Sequence, residues 1–220
     1  MKSHFRERTL PFPFFSLAFP HPQRFAEGMS APDNTALDLS GKLLIAMPGM
    51  GDPRFEHSVV FMCAHSPEGA MGLIINKPAP EVSLGDILTQ LDIDAGSTTK
   101  ATNVFFGGPV EGARGFVLHS GEYDNDASTL KVDAEFSMTA TRDILEAMAN
   151  GVGPEKTLAA LGYAGWSPGQ LESEIQQNAW LTCDAEKAIV FSDDSDGKWK
   201  AALAKLGVDP LLLSAEGGHA

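Results

Sequence analysis

The chain has 220 residues, 43% of them hydrophobic, and a formal net charge of −13. That length suits one domain burying roughly 70% of its extended-chain surface. Cys63 and Cys183 are the sole cysteines, too few for a disulfide framework and in keeping with a reducing cytoplasm. The acidic balance, without a Lys/Arg run or basic–aromatic interleaving, disfavours direct binding of nucleic acid, and no stretch reaches the ~18 apolar residues of a membrane span.

Residues 1–28 differ from the rest. They carry Lys2, Arg6, Arg8 and Arg24 against Glu7 and Glu27, a balance of +2 that leaves −15 for the remainder. They are rich in Phe, and Pro11, Pro13 and Pro20 would break any helix there. The reading adopted is a start-site artefact, with translation beginning at Met29; an export or targeting segment is the rival. Residues 29–40 read as a flexible lead and 41–213 as the domain.

Within the domain, Lys42–Met47 predicts a strand ended by Pro48-Gly49, and Gly51-Asp52-Pro53 a turn. Ser58–Ala64 and Met71–Asn76 predict two strands paired antiparallel across Pro67-Glu68-Gly69. Pro78 and Pro80 are expected to end the second. Ser83 caps a short helix to Leu91, with Ile87 and Leu91 on one face. After a loop containing Gly96 and Ser97 come strands at Asn103–Phe106 and Gly115–His119, separated by Gly107-Gly108-Pro109. An acidic loop, Gly121–Ser128, leads to a strand at Leu130–Val132. Thr139 or Thr141 caps a helix carrying Ile144, Leu145 and Met148, stopped by Gly151. Pro154 is expected to open a further helix and Gly162 to close it. Ser167-Pro168-Gly169-Gln170 has the form of a capping box ahead of a helix burying Leu171 and Ile175. Lys187–Phe191 reads as a strand. Asp193, Asp194 and Asp196 precede a last helix with Trp199, Leu203 and Leu206 on one side and Gly207 at its end. Residues 214–220 read as a mobile tail. Early strands and late helices, without regular alternation, indicate one α+β domain with a mixed sheet.

The chemistry-bearing residues form no familiar signature. Cys63 and His65 would share one strand face, and with His57 and His119 they are a conceivable zinc set, but the spacing matches no metal motif; hydrogen-bonded histidines flanking a core strand are the plainer reading. Cys63 with His119 is the one imaginable nucleophile–base pair; no GxSxG elbow is present, and buried inert thiols are favoured. Gly107-Gly108-Pro109 offers backbone N–H groups to an anion or is simply a tight turn. Asn76-Lys77-Pro78 ends a strand with a cation that reaches either solvent or a ligand. Asp52 and Arg54 suit a local salt bridge, and Asp92, Asp94, Asp124 and Asp126 solvent faces. Tyr163, Trp166 and Trp180 fit either a partner surface or, preferred, the junction of late helices and sheet. No cofactor is expected. If a ligand pocket exists, its polar lining is His65, Asn76, Lys77 and His119.

Four blocks carry a resemblance. They are Gly41-Lys42-Leu43-Leu44-Ile45-Ala46-Met47-Pro48 continuing to Ser58-Val59-Val60; His65 with Gly69-Ala70-Met71-Gly72-Leu73-Ile74-Ile75-Asn76-Lys77-Pro78; Gly107-Gly108-Pro109-Val110 with Gly115-Phe116-Val117-Leu118-His119; and Gly162-Tyr163-Ala164-Gly165-Trp166 with Gly169-Gln170-Leu171-Glu172, Glu174-Ile175, Asn178 and Trp180-Leu181. In these the chain resembles the YqgE/AlgH family, also called UPF0301, over about residues 38–219. The resemblance implies a bacterial, cytoplasmic α+β protein whose branched sheet curls into a pseudo-barrel with surrounding helices, from a family largely without assigned biochemistry. Some relatives are labelled transcriptional regulators linked to exopolysaccharide production. Ser192-Asp193-Asp194-Ser195-Asp196 departs from the usual family form, in which a proline often follows the strand.

Three functions are therefore in play. The first is a noncatalytic regulatory or adaptor role with a protein partner, motivated by Gly-rich and apolar motifs that lack a reactive set. The second is a small-molecule binder or enzyme of unspecified reaction using His65, Asn76, Lys77 and His119. The third is a transcriptional regulator acting on DNA.

Overall fold

The computed structural model describes residues 38–94, 103–124 and 128–213. The expected N-terminal segment, the Gly96–Ser97 loop and the C-terminal tail lie outside them.

Strand β1 (Lys42–Ala46) is buried from Leu43 onward because it runs between two neighbours. One is β2 (Val59–Ser66), which turns through Pro67-Glu68 into β3 (Gly69–Ile74) as an antiparallel hairpin, as the sequence predicts. A register shift between Met62 and Ala64 breaks the alternation of β2. Cys63 keeps the face of Val59 and Phe61 in one core cluster, while His65, beyond the shift, turns toward Leu39 of another. The expectation that Cys63 and His65 share a face fails for this reason.

Pro78 and Pro80 do not end a strand. They lie in β4 (Pro78–Ser83), which pairs with β5 (Asn103–Phe106) only at Pro78↔Phe105 and Ser83↔Asn103. An edge strand with so sparse a ladder tolerates missing N–H donors. Ser83 then caps α1 (Leu84–Gln90), accepting from Asp86 N–H while the Asp86 carboxylate accepts from Ser83 N–H.

β6 (Val110–Ser120), β7 (Thr129–Lys131) and β8 (Phe136–Thr139) follow, then α2 (Arg142–Ala149). β8 is buried at every residue; its alternating Phe136-Ser137-Met138-Thr139 carries a strand signal that reading Thr139 as a helix cap passes over.

The largest correction concerns Pro154–Gly162. Instead of a helix, Thr157–Trp166 is β9, the central strand. β6 occupies one edge; the other is shared by β5, parallel at Ala159–Leu161, and β3, antiparallel at Ala164–Trp166. Leu158, Ala159 and Ala160 are all buried. Small side chains suit a strand crowded on both faces, and this tertiary demand overrides the helix preference of alanine.

A short turn leads to α3 (Gln170–Gln176), then β10 (Trp180–Asp184), which pairs with β1 and which the sequence reading does not anticipate. Of the expected capping box, the Gln170 half is present: its side chain accepts from Ser167 N–H at 3.0 Å. Lys187–Phe191 is also corrected, since α4 (Lys187–Val190) is a helical turn that buries Ile189 and Val190. An apolar run this short does not distinguish strand from helix by periodicity. α5 (Gly197–Lys205) buries Trp199, Ala202 and Leu203.

The strand order β10-β1-β2-β3-β9-β6-β8-β7, with β5 and β4 branching from β9, makes a single α+β domain whose branched sheet curls into a half-barrel with helices around it. The inner face holds the first core cluster, with Phe61, Leu73, Leu118 and Phe136, closed by Trp199 and Leu203 of α5. A second cluster places Leu171 of α3 with Val60 and Ile74, and a third places α1 and α2 with Val104, Val117 and Ala159.

The branch depends on glycine. A Cβ on Gly107 would lie 2.3 Å from Gly162 O, and one on Gly162 (φ +72°) would lie 2.4 Å from Gly108 O. The two glycine motifs of the sequence are thus the two sides of one backbone crossing. Gly107 N–H already donates to Leu161 O at 2.8 Å, so this turn is a packing element and that N–H does not face an anion.

Candidate functional site

The stretch from β9 through α3 to β10 gathers the most polar tethers around a few side chains. Glu174 Oε2 accepts from the indole N–H of Trp166 at 2.9 Å and of Trp180 at 2.8 Å, while its Oε1 accepts from Gln170 Nε2 at 2.9 Å. The two indoles meet edge to face at 6.0 Å, and Phe55 meets Trp180 in the same way at 5.6 Å. Both tryptophans are buried and belong to the core, the preferred reading of these aromatics. One carboxylate thus ties three elements together, each indole N–H satisfied as burial requires.

Two residues earlier on α3, Glu172 Oε1 lies 2.9 Å from His65 Nε2, whose ring is only 4% exposed. The Glu172 carboxyl is held below its ordinary value, first by a backbone hydrogen bond in the opening turn of its helix and then by His65. The other ring nitrogen, Nδ1, accepts from Leu39 N–H at 3.2 Å. The imidazole proton therefore sits on Nε2.

Asn76 does something different. Its Oδ1 accepts from Val59 N–H at 2.8 Å and its Nδ2 donates to His57 O at 2.9 Å. The side chain extends the β2–β3 ladder past the end of β3. Lys77 Nζ donates to Arg54 O at 2.7 Å, and burial pushes its pKa down while Glu56 and Asp52 resist. Together these two residues fasten the loop containing Pro53–Phe55, a 3-10 turn whose Asp52–Arg54 ion pair is surface-exposed and stabilises little.

His119 is fully buried on β6. Its Nδ1 donates to Ser120 O at 3.0 Å, its Nε2 accepts from Thr139 Oγ1 at 3.0 Å, and Thr139 is 2.8 Å from Thr129 Oγ1. Burial lowers its pKa, with Ser120 O and Glu122 opposing, so the neutral ring is the stable form. The hydroxyl–imidazole chain links β7, β8 and β6.

Of the four residues expected to line a pocket, only Asn76 and Lys77 act on the same segment. His65 works at the far end of β2, and His119 is enclosed near the other limb of the sheet. His57 meets Trp199 edge to face at 4.7 Å in an exposed loop, apart from Cys63 and His65, and among the described residues no group of His, Cys, Asp or Glu is arranged to hold a metal. A shallow apolar hollow lined by Ile87, Phe116, Val117, Thr139, Leu145 and Ala159 has room for about one water, ≈ 20 Å³.

A family model described as AlgH-like matches residues 43–211. The chain belongs to the AlgH-like family. A UPF0301 protein of Ruegeria pomeroyi is 58% identical over 185 residues, covering 84% of this chain and all of the relative. One from Cereibacter sphaeroides is 56% identical over 184 residues with the same coverage. The solution structure of the AlgH protein from Pseudomonas aeruginosa is 44% identical, with a TM-score of 0.69 over 87% of this chain and all of that one. A crystal structure from Corynebacterium diphtheriae, 18% identical with a TM-score of 0.63, shares the fold. The resemblance read from the four sequence blocks is thereby shown.

The AlgH-like motif blocks map onto the backbone crossing and the tethers just described. Sequence reasoning missed two of the strongest. Glu174 was one polar residue in a helix; its spacing from Trp166 and Trp180 was the available signal. Lys198 is 1% exposed, and its Nζ donates to Ile75 O and Val190 O at 2.8 Å each. It stands one helical turn before Ala202 on the buried stripe of α5, and that position was the clue.

Cys63 tests the inert-thiol reading. Burial pushes its pKa up to about 12, so almost none is thiolate. Alkylation at pH 8 followed by peptide mapping is expected to leave Cys63 unmodified in native protein and to label it in denaturant. Prompt labelling of the native residue would contradict this.

Proposed function

We propose that this AlgH-like protein is a noncatalytic regulatory or adaptor module of the cytoplasm that acts through a protein partner. The supporting observation is that polar motif side chains are committed to intrachain ties: His65 to Glu172 and Leu39, Asn76 to Val59 and His57, Lys77 to Arg54, His119 to Ser120 and Thr139. A catalytic set needs a group aimed at a vacant position where a reacting atom can sit; these groups are aimed at the chain itself. Among the described residues no helix is long and apolar enough to cross a membrane, and the charge of −13 opposes a direct grip on DNA.

The test is in-cell cross-linking with affinity capture at low and high salt, beside a metabolite thermal-shift screen. The expected result is one reproducible protein partner, re-formed from the two purified components. Absence of such a partner, together with a metabolite shift abolished by His65→Gln or Lys77→Met in a stably folded variant, would replace this reading with ligand binding.

A further inference from the structure

The region where the chain enters the domain is held by one titratable ring. Leu39 is 3% exposed and packs in the second core cluster. Its N–H ends on His65 Nδ1 at 3.2 Å, and the next residue, Ser40, accepts from His65 N–H through its Oγ at 3.1 Å. On the other side of the ring, Nε2 donates to Glu172 Oε1 at 2.9 Å. The ring is thus used in one tautomer, as a donor toward α3 and an acceptor toward the entering chain.

A second proton can only go onto Nδ1, because Nε2 already carries one. There it would face the Leu39 N–H, donor against donor. The Glu172 side has the opposite preference, since a charge-assisted bond to the carboxylate is stronger than a neutral one. Protonation therefore tightens the ring onto α3 and removes the acceptor that seats Leu39. The charged groups on the elements around the ring include Glu172 and Glu174 of α3, Asp38 of the entering chain, whose Oδ1 accepts from Ser40 N–H at 2.9 Å, Lys42 at the start of β1 and Glu68 of the β2–β3 turn.

We propose that His65 is a pH-operated latch. The neutral ring fastens Leu39 into the domain, and the charged ring keeps α3 while releasing Leu39. This device is independent of the adaptor reading, because it concerns how the chain is held and not what it binds.

Amide exchange measured by NMR on the full chain decides it. Histidine is the side chain that ordinarily changes charge between pH 5 and 8. After correction for intrinsic exchange, protection of Leu39 N–H is expected to fall about tenfold from pH 8 to pH 5.5, the equivalent of losing one hydrogen bond. The amides of Ile74 and Ile75, which donate to Gly107 O and Val59 O, should keep their protection. In His65→Asn an amide oxygen can occupy the place of Nδ1 without titrating, and Leu39 should stay protected at both pH values. Glu172→Gln should move the release to lower pH. Equal Leu39 protection at the two pH values, parallel loss at Ile74 and Ile75, or an unchanged transition in Glu172→Gln would each overturn the latch. If His65→Asn does not fold, the wild-type contrast of Leu39 with Ile74 and Ile75 still decides.

Discussion

Gly162→Ala is expected to destabilise the protein by about 3 kcal/mol, from roughly 1–2 kcal/mol for an L-residue in the left-handed region and roughly 1–3 kcal/mol for overpacking. Gly162 has φ +72°, and its added Cβ would meet Gly108 O at 2.4 Å, Val110 O at 2.9 Å and Gly112 Cα at 3.2 Å. None of these can swing away, because all are backbone at the point where β9 meets β6 and the turn after β5. Gly207→Ala separates the two contributions. Gly207 has a similar φ of +69°, but nothing lies within 4 Å of its added Cβ, so it should lose only the conformational part, about 1 kcal/mol. Urea denaturation of the three proteins supplies the numbers. Equal losses at Gly162 and Gly207 would mean that the crossing yields, and that the glycine motifs are not required by close approach.

That crossing also explains which parts of the fold were legible in the sequence. The β2–β3 hairpin, the Ser83-capped helix and the α2 and α5 stripes announce themselves through local signals: alternation, caps and glycine stops. β9 does not. Thr157-Leu158-Ala159-Ala160-Leu161 is a good local helix former, and only the presence of β5 and β6 on either side makes it a strand. β10 was missed because burial at irregular positions erases the period that marks a strand, whereas the short alternation of β8 was overlooked beside the expected helix cap at Thr139. The short Lys187–Val190 turn misled in the opposite direction.

The four polar residues singled out from sequence are engaged in hydrogen bonds, yet their partners were not readable. Asn76 reaches back to Val59 and His57, and His65 reaches forward to Glu172, across 107 positions. Such pairs depend on the curl of the sheet, which no local pattern encodes. The Met62–Ala64 irregularity also turned His65 off the face that Cys63 shares with Val59 and Phe61, so a period-two extrapolation along β2 was certain to misplace one of them.

Lys198 carries the second large prediction, a contribution to stability that rises as the solution becomes alkaline. Its ammonium lies inside the half-barrel, 5.0 Å from the centre of the Phe105 ring, with two carbonyls and, among the described residues, no carboxylate in hydrogen-bond contact. Burial pushes its pKa down to about 8, with Asp193 resisting. An unfolded lysine titrates near ~10.4. Between these values the unfolded chain holds a proton that the folded one has released, so unfolding takes up a proton and stability increases with pH. Below about pH 8 both states are charged and the full burial cost is present. The difference amounts to about 3 kcal/mol gained by the folded state on going from pH 8 to beyond pH 10. Lys198→Met keeps the length and apolar stem while removing the charge. It also leaves Ile75 O and Val190 O without their donor, so its absolute stability at neutral pH reflects two opposed effects and is not the readout. The readout is the slope. The difference in denaturation free energy between wild type and Lys198→Met should move in favour of wild type from pH 7.5 to 9 to 10, because every other titrating group, the buried Cys63 thiol included, is common to both. Parallel curves would show that the ammonium is not buried as a charge, and that the interior of the half-barrel admits enough water to solvate it.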